Sequence, residues 1–501
     1  MSDHVVLDGE RLTVTDVIAV ARNHTSVAIA PQRAARLSEV RRAVEAAAAG
    51  PDAVYGLNTG FGKLASVKIA PDQLTALQRN LIVSHASGVG PPLPVEMVRA
   101  IMLLRINVLL KETSGVRPEL PERLAAMLNA GLHPVVPEQG SVGASGDLAP
   151  LSHVGLGLMG GGQIRRSDGQ DPEPAGDALR AAGIAPIVFG VKEGLAFING
   201  TQVQTAALSL LVHDASALWR NAHAAAALSI EALKGTPDPF DARLHNARPH
   251  AGQLASASLL RTLLDGSQIR ESHRAGDVRV QDAYSMRCTP QILGPVWDTL
   301  EYARRVVDVE LNAATDNPLV VDGELISGGN FHGQPVAMAL DYVTIALTTL
   351  ANLAERRLER ILNPDLSPGL PAFLAAQPGL ESGLMMVQIV AAALAGECRA
   401  LSTPASVQSI PTDANQEDYV PMGMAAASKA RRVFDNARRV VACELVSGAQ
   451  GLEHHRPLRS APQVERVYAW VRERVAPLTG DRSLTDDLER VADAVGKEAI
   501  V

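Results

Sequence analysis

The residues of this chain best suited to unusual chemistry are Ala144-Ser145-Gly146. Glycine has no side chain to shield its amide nitrogen, so Gly146 can approach the carbonyl of Ala144. Loss of two waters, one taking the Ser145 hydroxyl, would then close a five-membered ring with an exocyclic methylidene. That ring is an electrophile of a kind no ordinary side chain supplies. Taken alone, the tripeptide is common and reads as an ordinary Gly-rich turn. Tyr55, in a loop with Gly56, Gly60 and Gly62, is a candidate base that could close over a substrate. A phenol titrates near 10 when free, so a working phenolate requires cations or helix N-termini aimed at it. Arg287 offers a guanidinium fork that matches a carboxylate, and Gln281, Tyr284 and Arg287 fall at spacings of three.

The segment Gly140-Ser141-Val142-Gly143-Ala144-Ser145-Gly146-Asp147-Leu148-Ala149-Pro150-Leu151-Ser152-His153 resembles the prosthetic-group segment of the aromatic amino acid ammonia-lyases. Four further blocks follow that family's order: Tyr55-Gly56-Leu57-Asn58-Thr59-Gly60-Phe61-Gly62, Asn199-Gly200-Thr201-Gln202, Gln281 to Cys288, and Asn415-Gln416-Glu417-Asp418. The resemblance runs from about residue 54 to about residue 453. It implies an autocatalytic 4-methylideneimidazole-5-one formed from Ala144, Ser145 and Gly146. It also implies that Tyr55 and Tyr284 belong to the catalytic set, and that Arg287 and Asn199 bind the carboxylate and amine ends of the substrate. Gln281 and Tyr284 would line the cofactor pocket, with Phe331 packed beside the ring. Whether such a cofactor bonds the amine or the aromatic ring stays open.

The substrate expectation rests on two positions. Ser84-His85 resembles the pair found in histidine-specific members, and Glu417 matches their acidic residue where phenylalanine-specific members carry glutamine. An imidazole needs polar partners for its two nitrogens, whereas a carboxylate buried against a phenyl ring is left desolvated and uncompensated. The expected reaction is L-histidine to trans-urocanate and ammonia. A tyrosine or phenylalanine lyase and a 2,3-aminomutase remain alternatives. Gly333-Gln334 and Tyr419-Val420-Pro421 depart from the histidine-specific pattern at the substrate end.

Composition narrows the class. With 46 basic and 54 acidic residues among 501, the chain is mildly acidic and gives no sign of a nucleic-acid or membrane surface. Cys288, Cys398 and Cys443 are scattered and odd in number, which excludes a disulfide framework and fits a reducing, cytoplasmic setting. Met1-Ser2-Asp3-His4 lacks a basic leader. His332 and His454-His455 lack metal-ligand spacing, so no metal is expected, and the adjacent histidines read as solvent-facing. Gly155 to Gly160 satisfies GxGxxG, but no strand precedes it; close helix packing explains those glycines better than a dinucleotide.

Long helices must position these groups. Alanine- and leucine-rich patterns predict helices over 203–234, 336–362, 383–402 and 424–451, the second stopping at Asn363-Pro364. Residues 165–176 read as a surface hairpin or loop. The expected architecture is mainly α: a mixed N-terminal region over 1–200 carries the Tyr55 loop and the tripeptide. It packs on a long-helix bundle over 201–501, the two forming one continuous structural unit. The resemblance implies a homotetramer whose active sites are assembled from more than one subunit around a small amino acid substrate.

Overall fold

Runs rich in alanine and leucine, apolar on every side, form long helices because neighbouring elements can cover each turn. The computed structural model describes residues 4–167, 169, 171–277 and 279–500. Met1, Ser2 and Asp3 lie outside the described residues, as do Asp168 and Gln170 of the 165–176 segment, Val278 and Val501. The fold is mainly α, as expected. The four helices expected from the sequence are Gln202–Ala232, Gln334–Leu362, Met385–Leu401 and Gly423–Glu453. A fifth long helix, Thr289–Glu310, escapes the sequence reading because Pro295 lies inside it. Proline removes a backbone donor and ordinarily marks a helix end.

The chain forms two compact units. One comprises Met1–Leu210, Arg304–Asp341 and Pro404–Ser428; the other comprises Leu211–Ala303, Tyr342–Thr403 and Lys429–Val501. The chain passes between them five times: within Gln202–Ala232, Thr289–Glu310, Gln334–Leu362 and Gly423–Glu453, and between Thr403 and Pro404.

In the first unit, the helix Val95–Leu109 is buried on all sides, and Val14–Ala21 and Glu119–Asn129 pack against it. A capping box between Thr13 and Asp16 starts Val14–Ala21 by satisfying its first backbone donors. Leu74–His85, Leu148–Leu158 and Glu193–Ile198 form a second packed group. A Cβ on Gly155 would lie 3.1 Å from the Phe197 ring, and one on Gly157 2.9 Å from Pro134. The GxGxxG glycines therefore serve close packing. Strands are short: His4–Leu7 runs parallel to Ser26–Ile29, and Val89–Pro92 pairs antiparallel with Pro137–Gln139. Gln163–Arg166 pairs with both Leu132–Pro134 and Glu173–Pro174, so the 165–176 segment closes a hairpin. A hairpin at Leu319–Val321 and Glu324–Ile326 is additional to the expected strands. Its signal was Asp322-Gly323, whose φ values of 51° and 83° suit a tight two-residue turn.

In the second unit, buried Glu444 ties three helices together. It accepts from Arg357 Nε at 2.5 Å, Arg357 Nη2 at 2.9 Å and Ser229 Oγ at 2.7 Å. Arginines of Gly423–Glu453 make ion pairs within the unit: Arg432 with Glu397, Arg438 with Asp493 and Arg439 with Glu489. Gln334–Leu362 is long and apolar enough to cross a membrane by length and composition, and most of its apolar window is buried inside the protein. His454 is exposed, but His455 is buried and its Nε2 meets Ala232 O at 2.7 Å. The expectation that both face solvent is corrected. They follow the helix in a turn, where adjacent side chains need not point outward.

Candidate active site

Glycine geometry shapes the segment around the tripeptide. Gly143 and Gly146 have φ of 77° and 78° and bridge each other. Gly146 also pairs with Gly200, and Asp147 N donates to Gly200 O at 2.8 Å. A Cβ on Gly146 would collide with the backbone of Gly200. Only glycine permits both this φ and this approach. Asn199 Nδ2 donates to Ser145 O at 2.7 Å, which leaves its Oδ1 buried without a hydrogen-bond partner. From the far side, Gly333 N donates to Gly143 O at 3.0 Å and Met422 N to Val142 O at 2.8 Å.

Asp147, the next residue, is fully buried. Its carboxylate accepts from Val203 N at 3.0 Å and Gln204 N at 2.9 Å, at the start of Gln202–Ala232, and from Ser141 Oγ at 3.1 Å. Burial pushes its pKa up to about 6, although these hydrogen bonds oppose the rise. Beneath Asn199, buried Arg105 donates from Nη1 to Asn199 O at 2.9 Å and to Gln202 Oε1 at 2.8 Å. Lys192 and Asp316, both fully buried, pair at 2.5 Å just before the helix Glu193–Ile198 that ends at Asn199. Sequence reasoning missed this supporting set. Only Asp147, adjacent to the tripeptide, carried a local signal.

Two cavities flank Ser145. One of about 580 Å³ is lined by Tyr55, His85, Ser145, Asn199, Asp413 and Glu417, with Leu81, Leu195 and Ile198 as apolar wall. The other, of about 460 Å³, shares Ser84, His85, Ser145 and Glu417 and adds Ala144 and Gly146. Glu417 Oε1 accepts from Ser145 Oγ at 2.6 Å and its Oε2 from Thr412 Oγ1 at 2.6 Å. His85 ends the helix Leu74–His85, with Nδ1 3.0 Å from Ser84 Oγ. Ser84 Oγ itself donates to Leu81 O at 3.2 Å; in the tautomer with Nδ1–H facing Ser84, Nε2 is an acceptor. Burial lowers the His85 pKa against the pull of Glu417 and Asp413, which keeps the ring neutral near pH 7.

Tyr55 stands edge-on to Phe61, with ring centroids 6.5 Å apart, and its hydroxyl accepts from Gly62 N at 3.4 Å. Its pKa is raised, first by burial and then by Asp413, Glu417 and Asp316, with only the Gly62 amide opposing. Within one chain the charged neighbours that raise it are carboxylates. Among the described residues, neither cavity lining includes a lysine or arginine. Gln281, Tyr284 and Arg287 belong to the second unit and line neither cavity. Arg287 donates from Nε to Asp282 O at 3.0 Å and lies 4.7 Å over the Tyr284 ring, which is 71% exposed. Phe331 is half-buried and also outside the linings, in the loop that reaches Gly143 through Gly333. Among the described residues no cluster of three or more His, Cys, Asp or Glu could hold a metal.

A tight glycine turn bearing a serine hydroxyl, beside a cavity holding a tyrosine, a histidine and a carboxylate, defines a class by its geometry. The profile of the aromatic amino acid lyase family matches residues 12–473, and the chain belongs to that family. It is similar to the histidine ammonia-lyase of Symbiobacterium thermophilum, at 50% identity over 98% of this chain and 97% of that protein. Among solved structures it is similar to tyrosine aminomutase from Streptomyces globisporus, with a TM-score of 0.93 and 42% identity over 99% of this chain and 97% of that one. It is likewise similar to histidine ammonia-lyase from Trypanosoma cruzi, with a TM-score of 0.91 and 41% identity over 99% and 94% of the two chains.

Proposed function

We propose that this protein is a carbon–nitrogen lyase that removes ammonia from L-histidine to give trans-urocanate. The observation that carries this reading is the placement of His85 and Glu417 on the same cavity as Ser145. The Nε2 of neutral His85 accepts from an imidazole N–H, and the Glu417 carboxylate accepts from the other nitrogen when it is protonated. Against a phenyl ring the same carboxylate would lose its water without replacement. The 42% identical aminomutase supports a second reading, a 2,3-aminomutase using the same residues; a tyrosine or phenylalanine lyase is a third.

The tripeptide fits the proposed 4-methylideneimidazole-5-one. The positive φ and crowding at Gly146 keep its backbone bare, and Asn199 holds the Ser145 carbonyl. Once formed, that group supplies an electrophile that turns an amine into a better leaving group. The chain's own residues do the rest. Asn199, which lines the larger cavity, is the residue for the amine end of the substrate. Glu417 Oε1, engaged by the Ser145 hydroxyl in the unreacted tripeptide, is released for the imidazole when that hydroxyl leaves as water. Tyr55 takes the β-proton as general base, and the loop of Gly56, Gly60 and Gly62 excludes water.

A raised Tyr55 pKa is the wrong poise for a base, and among the described residues the cavity lining carries no lysine or arginine. We infer that the working enzyme is a homotetramer in which a neighbouring copy contributes Gln281, Tyr284, Arg287 and Phe331. Arg287 would then bind the substrate carboxylate and draw the phenol pKa down. The free thiols of Cys288, Cys398 and Cys443 support a cytoplasmic setting. The test is separate incubation with L-histidine, L-tyrosine and L-phenylalanine while ammonia and the conjugated acid are followed. Urocanate from histidine alone is expected. Cinnamate or coumarate would overturn the substrate, and a β-amino acid product would establish the mutase.

A further inference from the structure

The Tyr55 loop is held by a second loop whose backbone is unusual. Asp413, Ala414 and Asn415 have φ of 47°, 51° and 66°, three consecutive non-glycine residues in the left-handed region. Such residues persist only where the surroundings over-determine them. Here Thr412 and Glu417 close the turn by backbone pairing, with Thr412 N donating to Glu417 O at 2.9 Å. The turn delivers the Asp413 carboxylate to the short helix Gly62–Leu64, where Oδ2 accepts from Lys63 N at 3.0 Å. The fit is close: a Cβ on Gly62 would collide with that carboxylate. Gly62 is also the residue whose N–H reaches the Tyr55 hydroxyl. Asp413 itself lines the larger cavity.

We propose that Asp413 is a positioning residue, which clamps the 60–64 turn so that the Tyr55 hydroxyl is held over the cavity beside Ser145. This deepens the reading of Tyr55 as the base and rests on it. The clamp has an electrostatic consequence. The charged and titratable groups facing Tyr55 are Asp413 and Glu417 from the 412–417 loop and Asp316 from the 315–317 segment, with His85 across the cavity. All three carboxylates oppose phenolate formation, so the clamp positions the base while raising its pKa.

Two substitutions in the assembled full-length enzyme separate these effects. Asp413→Asn keeps an acceptor for Lys63 N and tolerates positive φ but removes the charge. Asp413→Ala removes both; alanine is already accommodated at φ 51° in the neighbouring Ala414. Limited trypsin digestion after exposed Lys63 reads the clamp without reference to activity. Asp413→Ala should be cleaved there severalfold faster than wild type, and Asp413→Asn at close to the wild-type rate. In turnover, Asp413→Ala should lose about tenfold or more in kcat, the scale of a misplaced reacting group. Asp413→Asn should lose less kcat than Asp413→Ala, and the acid limb of its pH profile should move to lower pH.

Wild-type rates of cleavage and turnover in Asp413→Ala would overturn the proposal, as would faster cleavage with unchanged kcat. An unmoved acid limb in Asp413→Asn would overturn the electrostatic part. Tyr55→Phe separates this inference from the one beneath it. If that variant stays active, the base reading falls and the positioning role with it. If it is inactive while Asp413→Ala behaves as wild type, the clamp alone falls.

Discussion

Gly146→Ala tests the geometry around the tripeptide. The new methyl must sit at φ 78°, which costs about 1–2 kcal/mol for a residue with a Cβ. It must also displace the backbone of Gly200, which is held by Asp147 N and lies beside Arg105. Overpacking against a fixed backbone costs about 1–3 kcal/mol more. The expected destabilisation is therefore about 2–5 kcal/mol, a large part of the roughly 5–15 kcal/mol that holds a native protein together. The same methyl obstructs the approach of residue 146 to the Ala144 carbonyl. Denaturant unfolding followed by circular dichroism measures the first effect, and intact mass under denaturing conditions measures the second as the presence or absence of the two-water deficit. Ser145→Ala is the control. It cannot form the ring but adds no atom at the contact with Gly200, so it should unfold near wild type while lacking the deficit. A Gly146→Ala protein with a wild-type midpoint, or one that still loses two waters, would refute the reasoning.

Glu417→Gln should reduce kcat/KM for histidine more than any residual rate with phenylalanine, because only the imidazole uses the carboxylate; equal losses would remove the specificity argument. Glu444→Ala should destabilise by about 3–5 kcal/mol in denaturant unfolding, since Arg357 would be left buried and unpaired. His223 is buried between Trp219 O at 2.8 Å and Ser256 Oγ at 2.6 Å, and burial pushes its pKa down to about 3. Its unfolded value is near 6.5, so the unfolded chain takes the proton first as pH falls. The stability advantage of wild type over His223→Gln should therefore be full above about pH 6.5 and shrink as pH falls toward 3; a gap independent of pH would show that His223 is not buried neutral.

The long helices were legible because alanine and leucine patterns and their stop signals are local. Asn363-Pro364 marks an end wherever the rest of the chain goes, and Gln334–Leu362 ends there. Thr289–Glu310 was not legible because Pro295 locally argues against a helix that tertiary packing nonetheless supports. The Leu319–Val321 hairpin was overlooked rather than hidden, since Asp322-Gly323 is a local turn signal.

At the site, the chemical possibilities follow from residue type alone. A bare glycine amide, a serine hydroxyl, a phenol and a carboxylate have the same intrinsic reactivity in any fold, and their local spacing marks the tripeptide as a turn. Tertiary structure decided what those groups meet. It set Asn199 against the Ser145 carbonyl, buried Asp147 under the start of Gln202–Ala232, and brought Asp413 onto the Tyr55 loop from 350 residues away. It also set carboxylates of the same chain near Tyr55. Contacts and pKa values depend on distance and solvent exclusion between segments remote in sequence, and neither quantity exists until the chain has folded.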